Sequence, residues 1–386
     1  MLYDPNDFCK DPLQIDFGDL RTEASSNSEL WRLDSVLLCE EIQKESLCDL
    51  VLTHCEECLY IIGNGFDLHH GLKTRYLDFR NFLKQDKTDN KHRDLLKLLS
   101  RNFELPEDDG EKEWNLFEEN IKYANSMPFI KGVPLNENTI EVSCDNLAKE
   151  IGTINNSLDP AFYAWIKSLE DGMKKLKTLN NMDMPLIGDK ALYLSYNYTD
   201  VLERFYGIAQ ENIFHIHGFY SESKKEPLYL GFGDLSFKVL DSYHKLLTYP
   251  MLAINIDSAK NAGPNFAIDN KPPRLNTLSE DGKKALLSFF TDRNKTYYLE
   301  NYRCYDFNTK IINQLQKIRK VIVLGHSFGA SDAFSLRLLR DKLQDRHVKW
   351  YLGVWLESDP QYRQNYIRMV MYKMFLTKEQ TRYFLW

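Results

Sequence analysis

Apolar residues fall along this chain in two periods. Largely apolar runs at Leu59–Ile62, Ala191–Tyr196, Ile213–Ile216, Val321–Leu324 and Val348–Trp355 predict strands buried on both faces, and Leu228–Leu230 predicts a further short one. Between them, apolar positions recur at helical spacing. That spacing predicts helices over Tyr76–Leu83, Arg93–Leu99, Glu111–Tyr123, Asp159–Leu179, Asp241–Leu247, Glu280–Phe290, Phe307–Arg319, Ser331–Leu343 and Asp359–Phe375. The helix at Asp159 is expected to start there because Asp-Pro is a helix-opening pair. Strand alternating with helix predicts a parallel sheet joined by crossover helices, hence an α/β fold with a Rossmann-like core.

The same patterns divide the chain. Residues 1–58 begin polar and irregular, then carry a helical pattern through Leu30, Leu33, Val36, Leu37 and Ile42, and read as a partly helical N-terminal extension. The domain proper is expected over 59–386. A helical insertion of about 84–185 interrupts it, and so does an irregular, partly helical insertion of about 233–308 that holds Gly-Pro and Pro-Pro pairs. No internal repeat is visible.

Each core strand ends in polar residues. The first run stops at Gly63-Asn64-Gly65-Phe66-Asp67, the second at Asn197-Tyr198-Thr199-Asp200, the third at His217-Gly218 and a late one at Gly325-His326-Ser327. In a parallel sheet these ends share one edge, the edge at which α/β sheets bind ligands. Gly63 and Gly65 are expected to let backbone approach a ligand closely, so the cluster reads as a nucleotide site. Leu68 stands where a dinucleotide fingerprint needs its third glycine, which disfavours an ordinary dehydrogenase. His217 beside Gly218 is a candidate base, since histidine titrates near neutrality. His215, two residues away on a strand, points to the opposite face and reads as structural.

Gly325-His326-Ser327-Phe328-Gly329 also has the form of a nucleophile elbow, GxSxG. In that fold an acid and then a histidine follow the serine on later loops. Here the sole later histidine is His347, which lies just before the next strand. A serine hydrolase acting through Ser327 is therefore the weaker alternative.

Composition narrows the classes. The chain has 386 residues, 43% hydrophobic and 27% charged, with net charge -7, which gives no basic footprint for nucleic acid as a direct substrate. Neither a run of about 18 apolar residues nor a basic-then-apolar start is seen, so no membrane role and a cytoplasmic location are expected. Seven scattered cysteines fit reduced thiols. Cys55 and Cys58 form a CxxC pair but lack a second pair, so no metal is expected.

Four stretches together resemble one family. They are Tyr60-Ile61-Ile62-Gly63-Asn64-Gly65-Phe66-Asp67-Leu68 with Gly71-Leu72, the segment Trp114–Glu118, Asn197-Tyr198-Thr199, and His215-Ile216-His217-Gly218. They are similar to AbiH proteins of bacterial abortive infection, which themselves look like divergent members of the sirtuin-like NAD-binding superfamily. Gly63, Gly65, Asp67 and Gly71 fall where the sirtuin glycine motif GAGxSxxxG has Gly, Gly, Ser and Gly. Asn197 matches the asparagine of QNxD, His217-Gly218 match the catalytic HG pair, and Gly325 with Ser327 match GTS. Tyr196, Thr199 and Asp67 depart from the sirtuin residues, and the four-cysteine zinc module of deacylases is missing.

The resemblance implies a sirtuin-like Rossmann sheet with large helical insertions, NAD as substrate, and plain NAD cleavage in preference to deacylation. It implies His217 as base, Asn197 orienting water or ribose hydroxyls, and Asp67 on ribose or facing developing positive charge. Gly63, Asn64, Gly65, Phe66, Gly71, Gly325 and Ser327 would hold the nucleotide. The expected function is an anti-phage effector that hydrolyses NAD when triggered, and a module that senses a nucleotide without cleaving it is the alternative. Partners compatible with this are NAD or a related nucleotide, a second copy of the chain, and a phage-derived or host activator.

Overall fold

The structure is a computed structural model that describes residues 42, 44, 56–85, 90–103, 105–121, 137–173, 187–220, 228–233, 280–343, 347–356 and 358–386. Six strands form one all-parallel sheet: β1 Cys58–Ile62, β2 Leu192–Ser195, β3 Ile213–His215, β4 Lys320–Leu324, β5 Lys349–Val354 and β6 Thr381–Leu385. Their order is β3-β2-β1-β4-β5-β6, that of a doubly wound, Rossmann-like α/β sheet. The order reverses between β1 and β4, which run in register from Cys58 opposite Lys320 to Ile62 opposite Leu324.

Alternation along the strands builds two cores. Leu59 and Ile61 join Val321, Val323 and Leu352 on one face. Helices Ala333–Leu343 and Pro360–Met374 cover that face with Leu336, Leu339, Ile367 and Val370. Tyr60 and Ile62 join Tyr193, Ile322 and Leu324 on the other, under Phe66, Val201 and Leu202. Both faces are buried, which is why these strands read as continuous apolar runs. Asp359 caps the Pro360–Met374 helix by accepting from the Gln361 and Tyr362 amides.

Between β1 and β2, helices α1 Asn64–His69, α2 Tyr76–Gln85, α3 Asn90–Phe103, α4 Glu111–Asn115, α5 Phe117–Asn120 and α6 Glu137–Ser168 follow one another. From α2 onward they share a third core, in which Phe79, Leu99, Trp114, Phe117, Phe162 and Trp165 meet Phe289 of a later helix, Glu280–Asp292.

Several elements differ from expectation. The helix expected to open at Asp159 begins at Glu137, with Pro160 inside it. Its apolar stripe, Leu147, Ile151, Ile154, Leu158, Phe162 and Trp165, runs unbroken past the proline, so burial against α3 and the Glu280 helix outweighs the lost backbone bond. Glu111–Tyr123 is divided at Leu116, which separates α4 from α5. Phe307–Arg319 is likewise divided into Cys304–Lys310 and a 3₁₀ turn, Ile312–Lys317.

Leu228–Leu230 is no strand. The Tyr229 amide donates to the His217 carbonyl, and Phe232 bridges to Asn294, so this segment ties two loops together and does not extend the sheet. β6 has no counterpart among the expected strands. Cys58 is disulfide-bonded, a departure from the expected reduced thiols. The expected helices near Leu30–Ile42 and over Asp241–Leu247, and Cys55, lie outside the described residues apart from Ile42.

Candidate functional site

The loop after β1 is packed against the loop after β4 across the point where strand order reverses. The Gly63 amide donates to the Leu324 carbonyl at 3.0 Å and the Gly65 amide to the Gly325 carbonyl at 2.8 Å. A Cβ at Gly63 would lie 2.4 Å from the His326 Cα, and one on Gly325, whose φ is +66°, would lie 2.2 Å from the Phe66 nitrogen. In this arrangement the glycines allow backbone to meet backbone. The Phe66 amide turns back to the Gly63 carbonyl at 2.9 Å, so the amides of Gly63, Gly65 and Phe66 are all engaged within the protein. Phe66 is buried against His70 and Tyr206 and anchors the loop. Asn64 is exposed, and its side chain donates to the Thr74 carbonyl. Gly71 has φ +79°, and a Cβ there would meet no atom within 4 Å, so backbone conformation alone favours glycine at this position.

Asp67 links this loop to β2. One carboxylate oxygen accepts from Asn197 Nδ2 at 2.9 Å, the other from Thr199 Oγ1 at 2.7 Å. Both of these partners are neutral. Burial pushes the Asp67 pKa up to about 7, and the bonds from Thr199 and Asn197 only partly offset this. Asn197 is buried, and its Oδ1 has no hydrogen-bond partner among the described residues. His215 lies on the far side of this loop, with Nε2 2.8 Å from Glu203 Oε1 and Nδ1 3.3 Å from the Asn197 carbonyl.

His217 sits in a buried cluster of charges. Its Nε2 lies 2.8 Å from Asp332 Oδ1, and Lys295 Nζ lies 3.6 Å from that same oxygen. Lys295 in turn pairs with Glu118 at 2.7 Å, and His326 Nε2 lies 3.5 Å from Asp332 Oδ2. Burial alone would raise the Asp332 pKa, but Lys295 and the bonds from both histidines outweigh it and hold this carboxyl well below its usual range. Burial would also lower the Lys295 pKa, yet Glu118 and Asp332 raise it above the ordinary lysine value. His217 is lowered, first by burial and then by Lys295, against the upward pull of Asp332 and Glu118.

An ionised Asp332 accepts the proton on Nε2, so His217 carries its lone pair on Nδ1, which no described hydrogen bond engages. A small cleft opens here between His217, Lys295, Thr296, Ser331, Asp332 and Ser335, with free room of about 10 Å³, enough for about one water molecule. This is below the roughly 300–1,000 Å³ of sites that enclose a drug-sized ligand.

The model of the family described as bacteriophage abortive infection AbiH matches residues 59–353. The chain belongs to the AbiH family. No curated protein and no solved structure matches it. In this AbiH protein the four resembling stretches meet at the carboxyl edge of the sheet. Glu118, from the Trp114–Glu118 stretch, reaches Lys295; the Asn-Tyr-Thr stretch reaches Asp67; and the His-Gly stretch reaches Asp332.

Ser327 stays apart from them. It is exposed, and among the described residues no base bonds to it. Positive φ falls on Gly325 and Phe328 rather than on the serine, unlike a strained nucleophile elbow, and His347 is exposed.

Asp332 and Lys295 do not stand out as site residues in the sequence, and His326 appears there only as part of a strand end. Asp332 follows β4 closely enough that the strand-end rule could have reached it, whereas Lys295 stands in a stretch with no regular pattern. Among the described residues, no group of three or more His, Cys, Asp or Glu is arranged to hold a metal, and no helix is long and apolar enough to cross a membrane.

Proposed function

We propose that this AbiH protein is an abortive-infection effector that hydrolyses NAD, with His217 as base and Asp332 as the residue that orients it. The observation that carries this is the 2.8 Å contact between His217 Nε2 and Asp332 at the sheet edge, beside a cleft. A carboxylate on one ring nitrogen leaves the other as acceptor, the arrangement of a histidine that removes a proton. The nicotinamide of NAD leaves with the electron pair of its glycosidic bond and thereby loses its positive charge, so departure needs no acid. Water attacks the anomeric carbon and gives its proton to His217 Nδ1. Asn197 Oδ1, buried and unpartnered among the described residues, is a second acceptor available to that water or to a ribose hydroxyl. The cleft has room for the attacking water beside His217, and the dinucleotide would approach it from the open side. Ser327, exposed after β4, is available to the diphosphate.

The test compares nicotinamide release and NAD level in infected and uninfected cells making the wild type, His217→Ala or Asp332→Asn. NAD loss confined to infected wild-type cells is expected, with each variant slowed by about 10²–10⁴-fold. NAD held level while protection against phage persists would sink the hydrolase reading. Saturable NAD binding without turnover would instead make the domain a nucleotide sensor.

A further inference from the structure

Lys295 and Glu118 lie behind the pair just described and come from parts of the chain far from the sheet. Lys295 opens the short helix Lys295–Tyr298 within the second insertion, and Glu118 lies on α5 in the first. Both are buried, and they meet at 2.7 Å. Lys295 and His217 share Asp332 Oδ1, at 3.6 and 2.8 Å.

We propose that Lys295, held by Glu118, is a positioning residue that sets how strongly Asp332 draws a proton onto His217, so that the two insertions jointly control the basicity of His217. A cation beside Asp332 neutralises part of the charge that would otherwise favour protonated His217. Glu118 neutralises part of that cation. The basicity of His217 thus depends on how closely Lys295 is held to Asp332 and to Glu118, and a displacement of α5 or of the 295–298 helix changes it without moving the sheet.

Other groups bear on the cluster as well. His326 faces Asp332 from the β4 exit, and the rings of Tyr196 and Tyr198 pack on His217 from the β2 exit. Tyr76 of α2 and Tyr198 face Glu118, and Glu119 adds negative charge near Lys295. Both phenols are held un-ionised, by burial first and then by Glu118. The charges that decide the His217 proton are therefore Asp332, Lys295 and Glu118.

The inference rests on His217 being the base for its consequence, but its test needs no turnover. Histidine ring resonances of the full chain would be titrated by NMR, with His217→Gln assigning the signal. Lys295→Met should move the His217 midpoint upward by about one pH unit or more, and Lys295→Arg should leave it near the wild-type value. Glu118→Gln should move it downward, because less negative charge then faces His217.

Loosened packing gives a different pattern. It would expose His217 and raise its midpoint toward the ordinary histidine value in the Met and Gln variants alike. An upward move in Glu118→Gln, or equal moves in Lys295→Met and Lys295→Arg, would overturn the proposal. If Glu118→Gln does not fold, the Met and Arg pair decides alone. Correct titrations with no NAD loss would retain this charge relay and reject the hydrolase reading, and the reverse result would do the opposite.

Discussion

Two buried carboxyls stand at the same sheet edge and behave in opposite ways. Asp67 is fully enclosed with an amide and a hydroxyl as partners, and its pKa rises to about 7. Asp332 is less deeply enclosed, its side chain 12% exposed at the cleft, and Lys295, His217 and His326 surround it, so it stays ionised well below its usual range. Burial opposes charge in both; neutral hydrogen bonds do not compensate for lost water, whereas nearby cations do. Environments that separate the pKa values of two like groups are typical of sites with divided roles. In this site Asp67 ties β1 to β2 through neutral partners, and the loop around Asp332 gathers the paired charges.

The contrast can be broken most severely at Asp332. Asp332→Asn removes the anion between Lys295 and His217 and should cost about 3–5 kcal/mol, read from urea unfolding at neutral pH. A loss under about 1 kcal/mol would mean that the cluster is wetter and weaker than its burial implies. The sign with pH also follows. A depressed carboxyl stabilises the fold above the unfolded pKa near 3.8, and that stability is lost as pH falls through the folded value.

Asp67 predicts the reverse slope. Between pH 3.8 and about 7 the fold holds a proton that the unfolded chain has released, so this group lowers stability as pH rises through that window and levels off above it. Asp67→Asn should remove a component of up to about 1.4 kcal/mol per pH unit, measured as the difference between wild-type and variant unfolding free energies across the window. An unchanged pH profile would place the Asp67 pKa near the ordinary range and dissolve the contrast with Asp332.

The smallest effect is expected at Thr199. Thr199→Val deletes the donor to one Asp67 oxygen, should cost about 1 kcal/mol, and should shift the Asp67-dependent slope to higher pH. A shift to lower pH would show that water had replaced the hydroxyl.

Much of this site is legible in the sequence as positions but not as partnerships. Gly63, Asp67, Asn197 and His217 stand out because each follows a buried strand, and a parallel sheet brings such ends together. The family resemblance points to Asp67 as a ligand for ribose, while the structure occupies both its oxygens with Asn197 and Thr199. The glycines suggest room for a ligand; the loop after β4 fills that room. Residues in the Gly63 loop carry no local mark of which distant backbone will pack on them.

The sequence by itself determined the period of each core element and hence the parallel α/β sheet, because a strand covered on both faces must be apolar throughout. Only the tertiary structure decided that a helix runs through Pro160, where burial on two neighbours overrides a local stop signal. It likewise added β6 beside β5. The charge cluster was decided at the same level: Lys295 and Glu118 are 177 residues apart, and nothing in the local pattern around either one specifies the other. Periodicity is a property of neighbours along the chain, whereas an ion pair depends on where the folded core delivers two side chains.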